Sequence, residues 1–236
     1  MGQGPAILAH ADAAVSLPSP HGAIQARLMP ERALCLAGTL LVSDLHLGKA
    51  DALHADTGLV PQPVLERLIA DDLARLSRAA ARAQVHHIVI AGDLLHATRG
   101  LSAKLIDLVA ADRSRNPIPW IIVPGNHDKG LSRLADPWRL EIAPAELCLA
   151  PGLIVTHAPR SHPDAHVIAG HEHPALTLRR GTDAIKLPAF VLTPAFTILP
   201  AFTRFAAGGG GPWPDSARLF ACGPDAVFEV PAAHAR

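Results

Sequence analysis

Pro119-Trp120-Ile121-Ile122-Val123-Pro124-Gly125-Asn126-His127-Asp128 reads as a strand that runs straight into chemistry. Residues 119–123 form a short apolar run of the kind buried on both faces of a parallel sheet. Pro124-Gly125 ends that run and delivers a group of side chains able to bind metal or move protons. The tetrapeptide Gly-Asn-His-Asp is not a product of composition. With 18 Gly, 2 Asn, 14 His and 15 Asp in 236 residues, chance supplies roughly 6 in 10,000 copies.

The same arrangement recurs on either side. Leu34 to Leu36 and Thr39 to Val42 read as a strand pair, the second leading into Asp44-Leu45-His46. His87 to Ala91 ends at Gly92-Asp93, Leu153 to Thr156 at His157, and His166 to Ala169 at Gly170-His171-Glu172-His173. Between them lie helices. Val64 to Ala83 sets Leu65, Leu68, Ile69, Leu73 and Leu76 on one face and Glu66, Arg67, Asp71, Arg75, Arg78 and Arg82 on the other. Leu101 to Ala111 is the second helix. Every motif therefore falls just past the carboxyl end of a strand, where ligand sites of open α/β sheets collect.

The fold class is α/β, in one domain spanning residues 1–236. Residues 1–20 are expected to be loosely ordered, with at most one or two edge strands before residue 32, and Gly48 to Pro63 to be a loop. After residue 174 helix signals vanish. Leu176 to Arg179, Ala184 to Leu187, Phe190 to Leu192, Phe196 to Leu199, Arg218 to Ala221 and Val227 to Val230 read as short strands of a second, more antiparallel sheet. Pro-Ala-Phe recurs at 188, 194 and 200, which reads as three proline-started edge segments each burying a Phe.

Composition sets limits. A hydrophobic fraction of 49% excludes disorder, and no apolar stretch approaches the roughly 20 residues of a membrane span. Met1 to Leu17 has no basic n-region, which argues against a secretory signal. Cys35, Cys148 and Cys222 are widely spaced and read as buried thiols in a reducing cytoplasm. A formal net charge of zero argues against a large basic surface holding duplex DNA.

Oxygen and imidazole donors without thiolate suit Mn²⁺, Fe, Zn²⁺ or Ni²⁺. Asp44 and His46 project to a first cation, and Asp93, alone at its strand end, is the natural bridging carboxylate. Asn126, His157 and His171 serve a second cation, and His173 closes the first. Two divalent ions roughly 3.5–4 Å apart would share a hydroxide for in-line attack on phosphorus. His127 is left over as a non-ligand beside Asn126 and takes the role of general acid, or of charge donor to a phosphoryl oxygen. Lys49, His96 and Arg99 follow metal motifs and are candidates to touch substrate phosphate, though a loop cation is more often simply solvated. Asp164-Ala165-His166 repeats the Asp-x-His pattern, and chance alone supplies about one such copy, so it reads as a loop residue and a strand start.

These motifs resemble the calcineurin-like metallophosphoesterase superfamily, whose pattern D-x-H, G-D, G-N-H-D/E, H, G-H-x-H is matched in order over about 130 residues. The resemblance implies a sandwich of two mixed β-sheets flanked by α-helices. It implies Asp44, His46, Asp93 and His173 on one metal, and Asp93, Asn126, His157 and His171 on the other. His127 takes the place of the catalytic histidine. Asp44-Leu45-His46-Leu47-Gly48-Lys49-Ala50, Gly92-Asp93-Leu94-Leu95-His96 and Leu199-Pro200-Ala201-Phe202 are similar to the ligase-associated DNA damage response endonucleases, the PdeM-type branch. That branch implies manganese and a neighbouring DNA ligase and helicase; the neutral charge and the flexibility of a single strand point to single-stranded DNA or another phosphodiester as substrate, and the short apolar stretches to no membrane. Thr203, where the branch has Gly, and Ala-Ala-Gly at 206–208 depart from it. A small-molecule nucleotide or sugar-pyrophosphate phosphoesterase is the rival enzyme, and a scaffold that kept the fold without the chemistry is the rival of another class.

Overall fold

Strand periodicity sorts the side chains into two layers. In the computed structural model, which describes residues 11–58, 61–206, 208–209 and 211–231, Ile88 and Ile90 join one core while Val89 and Ala91 join the other. Leu40 and Val42 alternate with Leu41 in the same way. These belong to a seven-stranded sheet in sequential order: β1 (Ala13–Leu17), β2 (Ile24–Met29), β3 (Ala33–Leu36), β4 (Thr39–Val42), β5 (His87–Ala91), β6 (Trp120–Val123) and β7 (Leu140–Ile142). β1 to β4 pair antiparallel and β4 to β7 parallel. Parallel neighbours need crossovers, and α1 (Lys49–Thr57), α2 (Gln62–Ala83), α3 (Ala103–Arg115) and α4 (Ala135–Trp138) lie within them. The apolar stripe of α2, with Leu65 and Leu76 buried, packs with Leu105, Val109 and Trp138 over the outer face of this sheet.

The second sheet contains β8 (Glu146–Ala150), β9 (Leu153–Thr156), β10 (His166–Ala169), β11 (Ala175–Arg180), β12 (Asp183–Leu192), β13 (Phe196–Ile198), β14 (Arg218–Cys222) and β15 (Val227–Val230). Its order is β15-β14-β12-β13-β10-β9-β8, with β11 paired to β12. Only β9, β10 and β13 run parallel. The two sheets face each other across Leu17, Leu28, Leu34, Leu153, Ile168 and Phe190, all nearly or fully buried. The fold is thus an α/β sandwich of two mixed sheets with flanking helices. No helix among the described residues is long and apolar enough to cross a membrane.

Several expectations need correction. Within 1–20, β1 is an ordered strand whose Ala13, Val15 and Leu17 point inward, and β2 is flanked on both sides instead of lying at an edge; residues 1–10 are outside the described residues. The loop expected at 48–63 contains α1, which buries only Ala50, Asp51 and Ala52 and so shows little periodicity. Arg75, placed on the solvent face of α2, is 6% exposed and reaches inward to the Phe202 carbonyl. Cys148 is exposed, while Cys35 and Cys222 are buried. The Pro-Ala-Phe repeat shares no face. Phe190 fills the inter-sheet core, Phe202 packs with the helices, and Phe196 is half-buried on the far side of the second sheet. Nor is Pro188 on an edge: it sits inside β12 where pairing passes from β11 to β14, a junction that leaves room for a residue without an N–H.

Candidate metal centre

Parallel pairing brings the motif loops side by side. β4 and β5 are neighbours, so the Asp44 N–H donates to the Gly92 carbonyl at 3.1 Å and the His46 N–H to the Asp93 carbonyl at 2.9 Å. β9 and β10 do the same in the other sheet, where the Gly170 N–H donates to the His157 carbonyl at 2.9 Å. The sheets meet where the His171 N–H donates to Asp44 Oδ2 at 3.0 Å. Turning sharply out of a strand forces unusual backbone: Asp44, His46, Asp93, His171 and His173 all have φ between 46° and 72°. Such left-handed non-glycine residues cost on the order of 1–3 kcal/mol each and persist where surrounding structure over-determines them.

Among the described residues three groups of possible ligands result, two of them carrying a carboxylate. Asp44, His46 and His173 place ligand atoms within 4.8 Å of one another, and so do Asp93, His157 and His171. In the first, His46 Nε2 is 3.3 Å from His173 Nε2, which is 3.2 Å from Asp44 Oδ1. In the second, His157 Nε2 is 3.0 Å from His171 Nδ1 and 2.9 Å from Asn126 Oδ1. Asp93 Oδ2 faces both, 3.9 Å from His46 Nε2 and 3.5 Å from His157 Nε2. All seven residues expected to ligate are therefore brought together.

The donor set fits divalent cations. Asp44 Oδ1 is fully buried and takes no well-angled hydrogen bond among the described residues. Facing imidazole nitrogens at such distances share a proton or, with both lone pairs turned inward, are held together by a cation between them. Burial drives the His46 imidazole down to about 3, which keeps it neutral with a lone pair to give. Burial alone would raise the Asp44 carboxyl, but the His173 imidazole, the Ser43 hydroxyl and the His171 N–H together hold it below its ordinary value. His157 Nδ1 lies 3.3 Å from the Ala91 carbonyl, which leaves Nε2 for the centre.

Small residues make room for these side chains. A Cβ on Gly92 would run into the His157 ring, on Gly125 into the Asp93 carboxylate, and on Gly170 into the Asp44 carboxylate. Asp128, to which the motif alone assigned no role, accepts from the Leu95 and Gly125 N–H groups at 2.8 Å each and so ties the loops after β5 and β6 together. Phe202, Thr203 and Gly209, in the stretch whose sequence departs from the branch pattern, brace the centre. The Phe202 and Thr203 N–H groups bond to the Ser43 and Asp44 carbonyls, and the Gly209 N–H to the His173 carbonyl at 2.7 Å.

His127 is in neither of the two carboxylate-bearing clusters; with His46 and His96 it forms the third group, its ligand atoms within 4.8 Å of one another. Its Nδ1 is 2.8 Å from the His96 carbonyl, so the ring donates there and presents Nε2 to the His46 side, 5.2 Å between ring centroids. The His96 ring stacks on it at 5.4 Å, and burial and the charges of Lys49, His127 and Arg99 lower the His96 pKa. Lys49 begins α1 half-buried beside His46. Arg99 is exposed and paired to Asp56 at 3.2 Å. The second Asp-x-His is remote from this chemistry: Asp164 is exposed, and His166 is buried at the start of β10 against the Thr197 hydroxyl at 2.8 Å.

A mixed-sheet sandwich with two His/Asp clusters joined by one carboxylate is the architecture of a metal-dependent phosphoesterase. Residues 39–149 match the family model described as calcineurin-like phosphoesterase. The chain is also similar to the solved structure of the nuclease MPE of Pseudomonas putida, with 25% identity and a TM-score of 0.74 over 92% of this chain and 100% of that one. No curated protein matches the chain. Residues 39–149 carry a calcineurin-like phosphoesterase domain, and the protein is a metal-dependent phosphoesterase.

Proposed function

We propose that this enzyme is a phosphodiesterase that cleaves single-stranded DNA endonucleolytically with two divalent cations, manganese foremost. The observation that carries the reading is the position of Asp93 Oδ2, which faces His46 Nε2 at 3.9 Å and His157 Nε2 at 3.5 Å and so belongs to both clusters. Asp44, His46, Asp93 and His173 would hold one cation, and Asp93, Asn126, His157 and His171 the other. When bound, such a pair supplies an activated water nucleophile and neutralises charge developing on phosphorus. His127 Nε2 donates a proton toward the leaving oxygen, its ring fixed by the His96 carbonyl. Lys49 and His96 stand on the same side and steady the scissile phosphate, while Arg99 joins only on leaving Asp56.

Similarity to the P. putida nuclease supports the nuclease class. The motif surroundings support the ligase-associated repair branch, with a DNA ligase and a helicase as functional partners. Three free cysteines support a reducing, cytoplasmic setting. The test is a circular single strand beside the same sequence as closed duplex, each with Mn²⁺ and with chelator. Cutting of the single strand clearly faster than of the duplex is expected. No cutting of the circle together with efficient hydrolysis of a nucleoside diphosphate ester would establish a small-molecule phosphoesterase instead.

A further inference from the structure

Formal neutrality hides a strongly basic groove. Two adjoining clefts, of about 200 and 690 Å³, share Arg32, Lys186, Leu187, Pro188 and Arg204 in their walls. The smaller opens at His173, in the first ligand cluster, and the larger carries the groove on past α2. Six cations line the larger cleft, Arg32, Arg75, Arg78, Arg82, Lys186 and Arg204, against two carboxylates, Glu31 and Asp225.

Two of the six are neutralised. Arg75 pairs with Asp72 at 3.0 Å, and Arg82 with Glu31 at 2.7 Å and Asp12 at 2.8 Å. That leaves Arg32, Arg78, Lys186 and Arg204, none of which makes an ion pair among the described residues, with Asp225 in the cleft wall and Asp72 close enough to act on Arg32 and Arg204. Two of these four are pinned by neutral carbonyls instead of carboxylates. Arg32 Nη1 donates to Ala201 O at 3.2 Å and Thr203 O at 2.7 Å, and Lys186 Nζ to Gly208 O at 3.0 Å. Their positions are thereby fixed while their charge is left to act. Burial is what lowers the Arg32 pKa; the Cys222 and Asp72 side chains work against it, and the neighbouring Arg204 adds a smaller push downward. Apart from these charged groups, His173 at the mouth and Cys222, the lining is aliphatic or glycine, with no Phe or Trp on which a base could stack.

We infer that this groove is the track for the strand flanking the cleaved bond, holding its phosphates through Arg32, Lys186, Arg204 and Arg78 and ignoring its bases. The inference rests on the nuclease reading above and names how that substrate is gripped. A polyanion leaving the metal centre past His173 meets four cations that make no ion pair among the described residues. The formal net charge of zero, which argues against a large basic surface, gives no sign of such a groove.

Binding measured without catalysis separates the track from the chemistry. In chelator, anisotropy of a labelled oligothymidylate of about 20 nucleotides should report binding to the wild-type protein with a salt slope near 3, about 0.7 for each of four phosphates. Arg78→Glu/Arg204→Glu changes two exposed residues without ion pairs. It should weaken binding at least tenfold and cut the slope by about half. An oligonucleotide lacking bases should bind within about threefold of the normal one. With Mn²⁺ present, the double variant should lose at least tenfold more activity on the oligonucleotide than on bis-p-nitrophenyl phosphate. Arg115→Glu, at the end of α3 and outside the groove, is the charge control and should bind like wild type. Wild-type protein that fails to bind in chelator, or a double variant that binds as tightly as wild type, overturns the track. Cleavage in either case would leave the nuclease reading standing. Binding of the expected kind without cleavage under any divalent metal keeps the track and overturns the nuclease reading.

Discussion

The His127 backbone N–H donates to Asp93 Oδ1 at 2.9 Å, and this bond aims the carboxylate. With Oδ1 engaged, Oδ2 is the oxygen left to face the histidines of both clusters. Asp93→Ala should therefore empty both metal positions and lower kcat more than ~10²-fold, since it removes a ligand from each. Metal analysis together with turnover of bis-p-nitrophenyl phosphate checks this. Undiminished activity would sink the shared-carboxylate arrangement.

His127 itself acts through its ring. His127→Ala should retain metal content near that of wild type and lose roughly 10²–10⁴ in kcat. The loss should shrink for substrates with good leaving groups, which need little protonation. A variant with an emptied metal position would show instead that the ring is a ligand.

Gly92→Ala tests how tightly the second cluster is built. The new Cβ would meet the His157 ring, and the backbone there has φ 82°, where an L side chain is strained. Stability should fall by about 1–3 kcal/mol and bound metal should drop toward one ion per chain. Thermal melting and metal stoichiometry read the two effects separately. Full stoichiometry would show that His157 can retreat and still bind.

Asp128 serves the backbone alone. Asp128→Ala leaves the Leu95 and Gly125 N–H groups without their acceptor, at a cost of about 1–3 kcal/mol for each that water cannot reach. Burial holds this carboxyl above its ordinary value, so Asn is the milder replacement and should recover part of the loss. Equal stability of the Ala and wild-type proteins in urea would remove Asp128 from the scaffold.

Without metal, His46 should make the protein acid-sensitive well above carboxylate pH. Its imidazole falls from 6.5 in the open chain to about 3 in the fold because of burial. Between those values the unfolded state carries a proton that the native state lacks, so stability declines as pH falls. From pH 7 to 5 the loss is about 2 kcal/mol. Urea titrations in chelator at both pH values, with His46→Gln as comparison, should show the slope flattened in the variant. A slope unaffected by the substitution assigns the effect to other groups.

The ordered motifs and the strands that carry them were legible from the chain. Both are local: a continuous apolar run of four or five residues marks β5 or β6, and a Gly-Asp or Gly-Asn-His-Asp stop follows. Helix α2 was legible for the same reason, its apolar stripe recurring over 22 residues. α1 was not, because nine residues with three buried carry almost no period.

Tertiary structure alone decided the rest. No periodicity shows that Asp93 faces both clusters, or that five ligand residues take left-handed backbone, since each depends on neighbours more than thirty residues away in sequence. Arg75 looked like a surface residue because its partner, the Phe202 carbonyl, lies 127 positions on. The basic groove was hidden most completely. A net charge of zero is a sum, and a sum keeps no record of place. Arg32 between β2 and β3, Arg78 on α2, Lys186 on β12 and Arg204 after Phe202 become one surface only when the two sheets pack and the chain around Thr203 is drawn against the Asp44 loop.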